Sequence, residues 1–235
     1  MSFDSPPGHP EILRLIAPNP GPMTLGGTNT YVVGADPAYV IDPGPAIGEH
    51  LSALKDAAAR RGGLGGVLLT HSHPDHAEAV SLLEVPVLAE GPFRVVATPG
   101  HTEDHVCFIL DGVCFSGDLI LGEGSAFVPP TGGSLAAYLD SVRRIGALDL
   151  ELICPGHGPY VIDPAAKVRE YIEHRMVRER KLVAALERGE RSRARLLEEA
   201  WDDVPEELRP AAAVVMQAHL EKLDDEGRLP RDLTD

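Results

Sequence analysis

Long apolar runs are missing from this sequence of 235 residues. Its apolar stretches, such as Val106 to Leu110, fall well short of the roughly 18 residues that a membrane-spanning helix needs. Met1 to Pro10 contains neither a basic region nor an apolar run, which argues against a secretory signal and against an Arg-rich transit peptide. We therefore expect a cytoplasmic protein that crosses no membrane.

Cysteine and aromatic residues are also scarce. The three cysteines, Cys107, Cys114 and Cys154, form no Cys-x-x-Cys pair, which argues against a disulfide framework and predicts buried, free thiols. Aromatic residues make up 5% of the chain, and only Tyr171 and Trp201 lie beyond residue 164. This scarcity disfavours the recognition of nucleic acid by base stacking in that part of the chain.

Basic residues are outnumbered by acidic ones, 21 against 36, which gives a formal net charge of −15. Such a charge slows the approach to nucleic acid or to an anionic membrane. Residues 165–199 are the exception, with ten Lys and Arg against seven Glu. Because charges are screened beyond about 8 Å at physiological salt, this local basic face can still act on a ligand.

The first part of the chain, residues 1–164, alternates short β-branched runs with segments rich in Ala and Leu. This alternation predicts an α/β sandwich of sheets flanked by helices. The dipeptide Asp111-Gly112 predicts a two-residue hairpin turn. Strands are predicted at 12–17, 30–34, 38–41, 66–70, 93–98, 106–110, 113–116 and 152–154, and helices at 48–61, 74–83 and 134–148.

The pattern changes at Asp163-Pro164, where Pro suits the first position of a helix. Beyond it, the sequence predicts helices at 165–188, 192–200 and 206–226, followed by a turn containing Gly227. We therefore predict two domains: residues 1–164, which carry the candidate active site, and residues 165–235, a compact helical appendage. No oligomeric state follows from the sequence.

Four metal-ligand side chains lie close together after the apolar run Val67-Leu68-Leu69. His71 and His73 point to one side of an extended chain, because side chains alternate along it. Pro74 can open a helix whose first turn holds Asp75 and His76. Three of the ten histidines within six residues, together with an aspartate, are poorly explained by packing alone, so this segment predicts a metal site.

Three further candidate ligands follow predicted strands, each beside a glycine that lets the backbone approach closely. His101 lies in Thr98-Pro99-Gly100-His101, Asp118 in Phe115-Ser116-Gly117-Asp118, and His157 in Cys154-Pro155-Gly156-His157. Together with the first cluster they give five imidazoles and two carboxylates. Such a set can bind two borderline-soft metal ions that share one bridging ligand.

The order His-x-His-x-Asp-His, then His, Asp and His, resembles that of the metallo-β-lactamase superfamily over residues 11–164. Segments 19–24, 27–31 and 41–44 and the helical appendage resemble the lactamase-beta-2-like branch, which ends in a small winged-helix-like domain. The resemblance implies an αββα metallo-β-lactamase sandwich. It also implies one Zn²⁺ bound by His71, His73 and His101, a second bound by Asp75, His76 and His157, and a bridging Asp118.

The expected activity is hydrolysis by a dinuclear zinc centre, in which a metal-bridging hydroxide is the nucleophile. Asp75 would orient this hydroxide and Asp118 would hold both metals, although His and Asp sites also accept iron or manganese. The leading substrate is a small acyl molecule: an ester, a thioester or a lactone. Single-stranded RNA, which the nearest branch of the family is associated with cleaving, is the alternative. A binding module for nucleic acid or a partner protein, with a structural metal, is the rival of a different class.

Several polar residues outside the ligand set have two interpretations. Asp42 either accepts a hydrogen bond from a ligating histidine or Thr70, or only starts a turn. Asn29, Thr30 and Tyr31 are candidate substrate contacts. Ser116 is interpreted as a turn residue and His105 as a packed histidine. The basic residues of 167–181 form either a solvated face paired with Glu or a groove for phosphates.

Overall fold

The computed structural model describes residues 3–235, which contain two β-sheets. The first sheet has the strand order β1 to β5, with only the β4–β5 pair parallel: Phe3–Asp4, Ile12–Ile16, Asn29–Val33, Ala38–Ile41 and Leu64–Leu68. The second has the order β6 to β9, with only the β8–β9 pair parallel: Arg94–Ala97, Val106–Leu110, Val113–Gly117 and Leu152–Pro155. The predicted hairpin between β7 and β8 is present, and Asp111 and Gly112 both have positive φ, as a type I′ turn requires.

Three apolar clusters define the layers of this part of the chain. Between the sheets, Ile41 and Leu68 of the first sheet pack with Phe108 and Phe115 of the second. The outer face of the first sheet packs against helix α1 (Gly48–Ala59) and the outer face of the second against α3 (Leu135–Gly146). The predicted αββα sandwich is therefore confirmed.

The short helix after β5 differs from its prediction. One helix was expected over 74–83, whereas α2 spans only Pro74–Ala77 and continues as a 3₁₀ helix, Glu78–Leu82. The Ala79 N–H donates to Gly44 O at 3.0 Å rather than to the carbonyl four residues earlier. A contact with the β4 loop therefore ends the α-helical hydrogen-bond pattern.

The C-terminal helices are α4 (Pro164–Glu187), α5 (Arg193–Ala200) and α6 (Arg209–Asp225), with a 3₁₀ turn, Glu206–Leu208, before α6. Asp163 is the N-cap of α4, and its side chain accepts the Ala166 N–H. These helices enclose an apolar cluster that includes Leu182, Leu196, Trp201 and Leu220. The domain boundary at 164/165 stays a prediction.

Cys107, Cys114 and Cys154 are all free and buried, as predicted. Among residues 3–235, no helix combines the length and hydrophobicity that crossing a membrane requires.

Candidate metal centre

The direction of the strands explains why distant segments meet. β4 and β5 are parallel, as are β8 and β9, and β6 runs in the same direction as β8 because both are antiparallel to β7. Within each sheet, the carboxyl ends of these strands therefore point to the same end of the sheet. The segments that follow β5, β6, β8 and β9 carry all seven predicted ligands: His71, His73, Asp75, His76, His101, Asp118 and His157.

A first group of ligand atoms lies around His73. Its Nδ1 is 2.9 Å from His71 Nε2 and 2.9 Å from His101 Nε2. His101 Nε2 is also 3.7 Å from Asp118 Oδ2. The three imidazole nitrogens therefore lie close together, and one carboxylate oxygen of Asp118 lies beside that of His101.

A second group lies around His157. Its Nε2 is 3.3 Å from His76 Nε2 and 3.3 Å from Asp75 Oδ2. The other oxygen of Asp118, Oδ1, is 3.4 Å from His157 Nε2 and 3.5 Å from His76 Nε2. Asp118 thus directs one carboxylate oxygen toward each group. We call the seven side chains of the two groups the metal-ligand cluster.

Four of the histidines are oriented by a hydrogen bond at the ring nitrogen that faces away from the cluster. His76 Nδ1 donates to Asp42 Oδ2 at 2.9 Å, and His101 Nδ1 donates to Phe127 O at 2.6 Å. His157 Nδ1 donates to Gly27 O, and His71 Nδ1 lies 3.0 Å from Thr70 Oγ1. Such partners are typical of metal-binding histidines, because they fix the tautomer and the ring plane.

The spacing of these atoms fits metal ions. Neighbouring ligands of a tetrahedral Zn²⁺ with bonds of about 2.0–2.1 Å are roughly 3.3 Å apart, and the distances within the two groups are 2.9–3.7 Å. Asp118 Oδ1 is buried without a hydrogen-bond partner in the described chain, as expected for an atom that a cation would bind. The residues therefore fit a site for two ions that share Asp118.

Burial and charge give the cluster uneven proton affinities. Burial and the neighbouring His76 lower the pKa of His71 to about 2, so this imidazole is neutral, the form that binds metal. Burial would also lower the pKa of His157, but the neighbouring carboxylates of Asp118 and Asp75 outweigh it and raise that pKa to about 9. Metal binding at His157 must therefore displace a proton.

The cluster opens into a cleft of about 640 Å³ between the strand-end loops and the C-terminal helices. His73, Asp75, His101, Asp118 and His157 line it from the first side. Apolar residues of the C-terminal helices and of the segment before them line it as well, among them Leu121, Phe127, Leu208 and Val215. A cleft of this size accommodates a small organic substrate.

The structure decides between the interpretations of Asp42. Its carboxylate accepts three hydrogen bonds: from the Thr70 N–H, from the Thr70 hydroxyl at 2.7 Å and from His76 Nδ1. Asp42 therefore orients a candidate ligand and also holds the segment that leads into the His71 loop. Ser116, as interpreted from the sequence, is structural, because its hydroxyl donates to Ile120 O.

The three residues considered as substrate contacts are buried and do not line the cleft. Asn29 Nδ2 donates to Pro155 O and Gly158 O, and the Tyr31 hydroxyl donates to Pro155 O at 2.8 Å. Thr30 Oγ1 lies 3.0 Å from His50 Nε2. The expectation of substrate contacts was wrong; Asn29 and Tyr31 instead hold the turn that presents His157.

His105 is packed, as interpreted from the sequence. Its Nδ1 lies 2.8 Å from Thr98 Oγ1, and burial lowers its pKa to about 3. It belongs to none of the groups of candidate metal ligands found among residues 3–235.

Two contributions to the site were missed in the sequence. The Thr28 hydroxyl donates to Asp75 Oδ2 at 3.3 Å, and Asn19 fixes Thr28 through both its side-chain amide atoms. The carbonyl of Phe127 orients His101. The Gly-rich surroundings of Thr28 were a signal for the first contact, whereas a backbone carbonyl leaves no signature in the sequence.

Most basic residues of the C-terminal helices are paired with acidic ones. Exposed pairs include Arg180 with Glu173 and Lys181 with Asp202, each at 2.5 Å, and Lys167 with Glu170 at 3.0 Å. Glu179 is different, because it is buried and pairs with Lys222 of α6 and with Arg228. The solvated, paired face is therefore the better description of the exposed residues.

Comparisons with known proteins agree with this architecture. The chain matches the family model of the metallo-beta-lactamase superfamily over residues 23–85 and 82–157, and that of the beta-lactamase associated winged helix domain over residues 195–233. It is 33% identical over 254 residues to the beta-lactamase-like protein 2 homolog of Caenorhabditis elegans, covering 92% of this chain and 85% of the relative.

Solved structures show the same fold. The metallo-beta-lactamase family protein TTHA1429 from Thermus thermophilus is similar with a TM-score of 0.72 and 24% identity, covering 93% of this chain and 94% of that chain. TTHA1623, solved in a di-iron-bound form, is similar with a TM-score of 0.53 and 27% identity, covering 63% of this chain and 93% of that chain. This chain belongs to the metallo-beta-lactamase superfamily, is a hydrolase of that superfamily, and carries the associated winged helix domain.

Proposed function

We propose that this protein is a dinuclear zinc hydrolase of small acyl substrates: esters, thioesters or lactones. One observation carries the proposal. The two groups of ligand atoms share Asp118 at a cleft whose further lining is largely apolar. When bound there, two Zn²⁺ ions would supply a hydroxide nucleophile near neutral pH and polarise the scissile carbonyl.

The chain's own residues position the reacting groups. Asp75 is ionised, because its hydrogen bond with His157 outweighs burial and lowers the pKa of Asp75 to about 2. Its Oδ2 is held by Thr28, so the carboxylate keeps one orientation and can accept a hydrogen bond from an attacking nucleophile. The apolar residues of the cleft exclude water around an acyl chain, which strengthens the electrostatic interactions at the carbonyl.

Zinc is the metal we propose because imidazole and carboxylate donors at these spacings suit it. Iron and manganese accept the same donors, and a solved neighbour carries two irons. Metal analysis of the purified protein separates these alternatives.

Acyl hydrolysis is preferred over cleavage of single-stranded RNA because most of the basic side chains that a phosphate groove would use are paired. Lys181 bonds Asp202, and Arg193 bonds Gln217. Binding of RNA would have to break such pairs before phosphate contacts could form. A purely structural metal is disfavoured, because structural zinc sites are closed shells rich in Cys, and this cluster opens into a cleft.

The test combines elemental analysis with a panel of ester, thioester, lactone and single-stranded RNA substrates. We expect His73→Ala and Asp75→Ala each to lower the bound metal and to reduce kcat/KM for an acyl substrate by at least about a hundredfold. His9→Ala is the matched control, because His9 pairs with Glu11 away from the cleft.

Full turnover by the metal-free protein would contradict the proposed chemistry. Cleavage of RNA without turnover of any acyl substrate would be consistent with the metal centre but would show that the substrate is a phosphodiester. Metal binding without turnover of any substrate in the panel would favour the binding module.

A further inference from the structure

Three basic side chains of α4 line the same cleft as the metal-ligand cluster. They are His174, Arg175 and Arg178, which lie within one turn of the helix. Two of them are almost inaccessible: Arg175 is 2% exposed and Arg178 is 5% exposed. In a chain of net charge −15, two guanidinium groups therefore lie beside an otherwise largely apolar cavity.

Arg175 has no acidic partner. No carboxylate of residues 3–235 lies within 4.0 Å of its guanidinium, so neither Asp75 nor Asp118 neutralises it. One of its nitrogens donates to Ala126 O, and its guanidinium carbon is 5.5 Å from the centre of the Tyr138 ring. A carbonyl and an aromatic face orient a guanidinium, but they do not cancel its charge.

The two neighbours of Arg175 also have unused hydrogen-bonding atoms. His174 Nδ1 and Arg178 Nε are buried without a partner in the described chain. The other nitrogens of Arg178 are engaged, because they donate to Asp203 and to Ala200 O. Burial and the two arginines lower the pKa of His174 to about 4, so it is a neutral hydrogen-bonding group near pH 7.

An anionic ligand would supply the counter-charge that Arg175 lacks. A buried charge without a counter-charge is costly, and the cost falls when a ligand supplies the opposite charge. A guanidinium binds a carboxylate or a phosphate through two parallel hydrogen bonds. The acidic side chains that line the cleft are Asp75 and Asp118, which face the metal-ligand cluster, and Glu123 of the segment before α3.

We propose that the hydrolysed substrate carries an anionic group, a carboxylate or a phosphate, at the end of an apolar stem, and that Arg175 binds this group. The inference rests on the proposed acyl hydrolysis and narrows its substrate class. The acyl carbonyl lies at the metal-ligand cluster, the stem contacts Leu121, Phe127 and Val215, and the anion reaches α4. Arg175 is then a residue that determines specificity.

The test uses the metal-loaded full chain and sets of three p-nitrophenyl esters with matched acyl chains of about six to ten carbons, lengths that such a cleft accommodates. Within each set the ω-group is a methyl, a carboxylate or a phosphonate. We expect kcat/KM of the wild type to be about tenfold higher or more for one of the anionic esters than for the methyl ester, mainly through KM. The anionic ester with the higher kcat/KM shows whether the natural group is a carboxylate or a phosphate.

Three variants accompany the wild type. Arg175→Met, which keeps the approximate shape and removes the charge, should lose the preference for the anion. Arg175→Lys should retain part of it, because a point charge remains without the bidentate geometry. Arg180→Met is the matched control, since Arg180 is exposed on the same helix and pairs with Glu173; it should keep the wild-type ratio.

Calorimetric binding of the non-hydrolysable octanedioic acid monoamide, compared with octanamide, gives a readout that does not need turnover. Tighter binding of the anionic amide by the wild type, lost in Arg175→Met, supports the inference even if no ester is hydrolysed. The lack of ester hydrolysis would then count against the proposed function alone. If the wild type shows equal kcat/KM and equal affinity for the anionic and the methyl compounds, the inference is overturned, whether or not Arg175→Met folds. An anion preference that Arg175→Met retains overturns it as well.

Discussion

The metal-ligand cluster and the C-terminal helices differ in where most of their polar side chains lie. In the cluster, imidazoles and carboxylates lie against one another, and backbone carbonyls such as those of Gly27 and Phe127 orient them. In the helices, the interior is apolar and most charged groups pair at the surface. The first region therefore depends on the positions of backbone atoms, whereas the second depends on buried apolar area and tolerates exchange of its surface charges.

The largest expected effect tests how closely the cluster is packed. A Cβ atom at Gly156 would lie 2.5 Å from Asp118 Oδ1 and 2.7 Å from His76 Cε1. Gly156→Ala should therefore displace the shared ligand, lower the bound metal and reduce kcat/KM by about a hundredfold, because a misplacement of about 1 Å is enough for such a loss. Metal content and steady-state kinetics measure it.

The control for this variant is Gly48→Ala. Gly48 begins α1, and a Cβ there would meet no atom within 4 Å. We expect its metal content and activity to equal those of the wild type. If Gly156→Ala kept both as well, the cluster would be more adaptable than the comparison implies.

The second prediction addresses the point where the two regions meet. Phe127 packs its side chain against the apolar cluster of the C-terminal helices, and its carbonyl orients His101. Phe127→Ala keeps the carbonyl but removes the packing that holds it in place. It should therefore lower the free energy of unfolding by about 1–3 kcal/mol and weaken metal binding by about tenfold. Thermal unfolding and competition with a chelator measure the two effects. Lower stability with unchanged metal affinity would show that the two regions are independent.

The smallest effect concerns a buried ion pair among the helices. His219 and Lys222 lower the pKa of Glu179 to about 2, against an ordinary 4.5. A depressed pKa stabilises the fold at a pH above the unfolded value, and this stabilisation is lost as the pH falls from 4.5 toward 2. Glu179→Gln should therefore lower the free energy of unfolding by about 1–2 kcal/mol at pH 7, and the difference from the wild type should shrink below pH 4.5.

Glu173→Gln is the matched control, because Glu173 forms an exposed pair with Arg180 on the same helix. Its effect on unfolding in denaturant should stay under about 0.5 kcal/mol at every pH. Equal effects of the two variants would mean that burial of the Glu179 pair contributes nothing.

Much of the fold was predictable from local patterns. Strands Ala38–Ile41 and Val106–Leu110 have the predicted bounds, because β-branched runs and an Asp-Gly turn are local signals. The end of the helix predicted over 74–83 was not predictable, because the Gly44 carbonyl that accepts the Ala79 N–H comes from another part of the chain. The convergence of the seven candidate ligands followed from their positions after strands, since strand direction then determines where the loops meet.

Burial of polar residues was the part that local patterns could not predict. Arg175 and Arg178 lie in a charged run that is typical of a solvated helix face, yet both are buried. Arg175 contacts Ala126 and Tyr138, and Arg178 contacts Ala200 and Trp201. Asn29 and Tyr31 lie near a Gly-rich loop, which indicated substrate contact, but their partners are carbonyls of residues 155 and 158. Long-range packing, which no short window contains, determines such positions.

The segment that joins β8 to α3 has a consequence for engineering. The Tyr171 hydroxyl accepts the Leu121 N–H, the Arg175 guanidinium donates to Ala126 O, and the next carbonyl along the chain orients His101. A chimera that exchanges residues 165–235 alone with those of another family member would disturb this attachment. Residues 121–127 should travel with the helices they bind, so the unit of recombination is discontinuous in sequence.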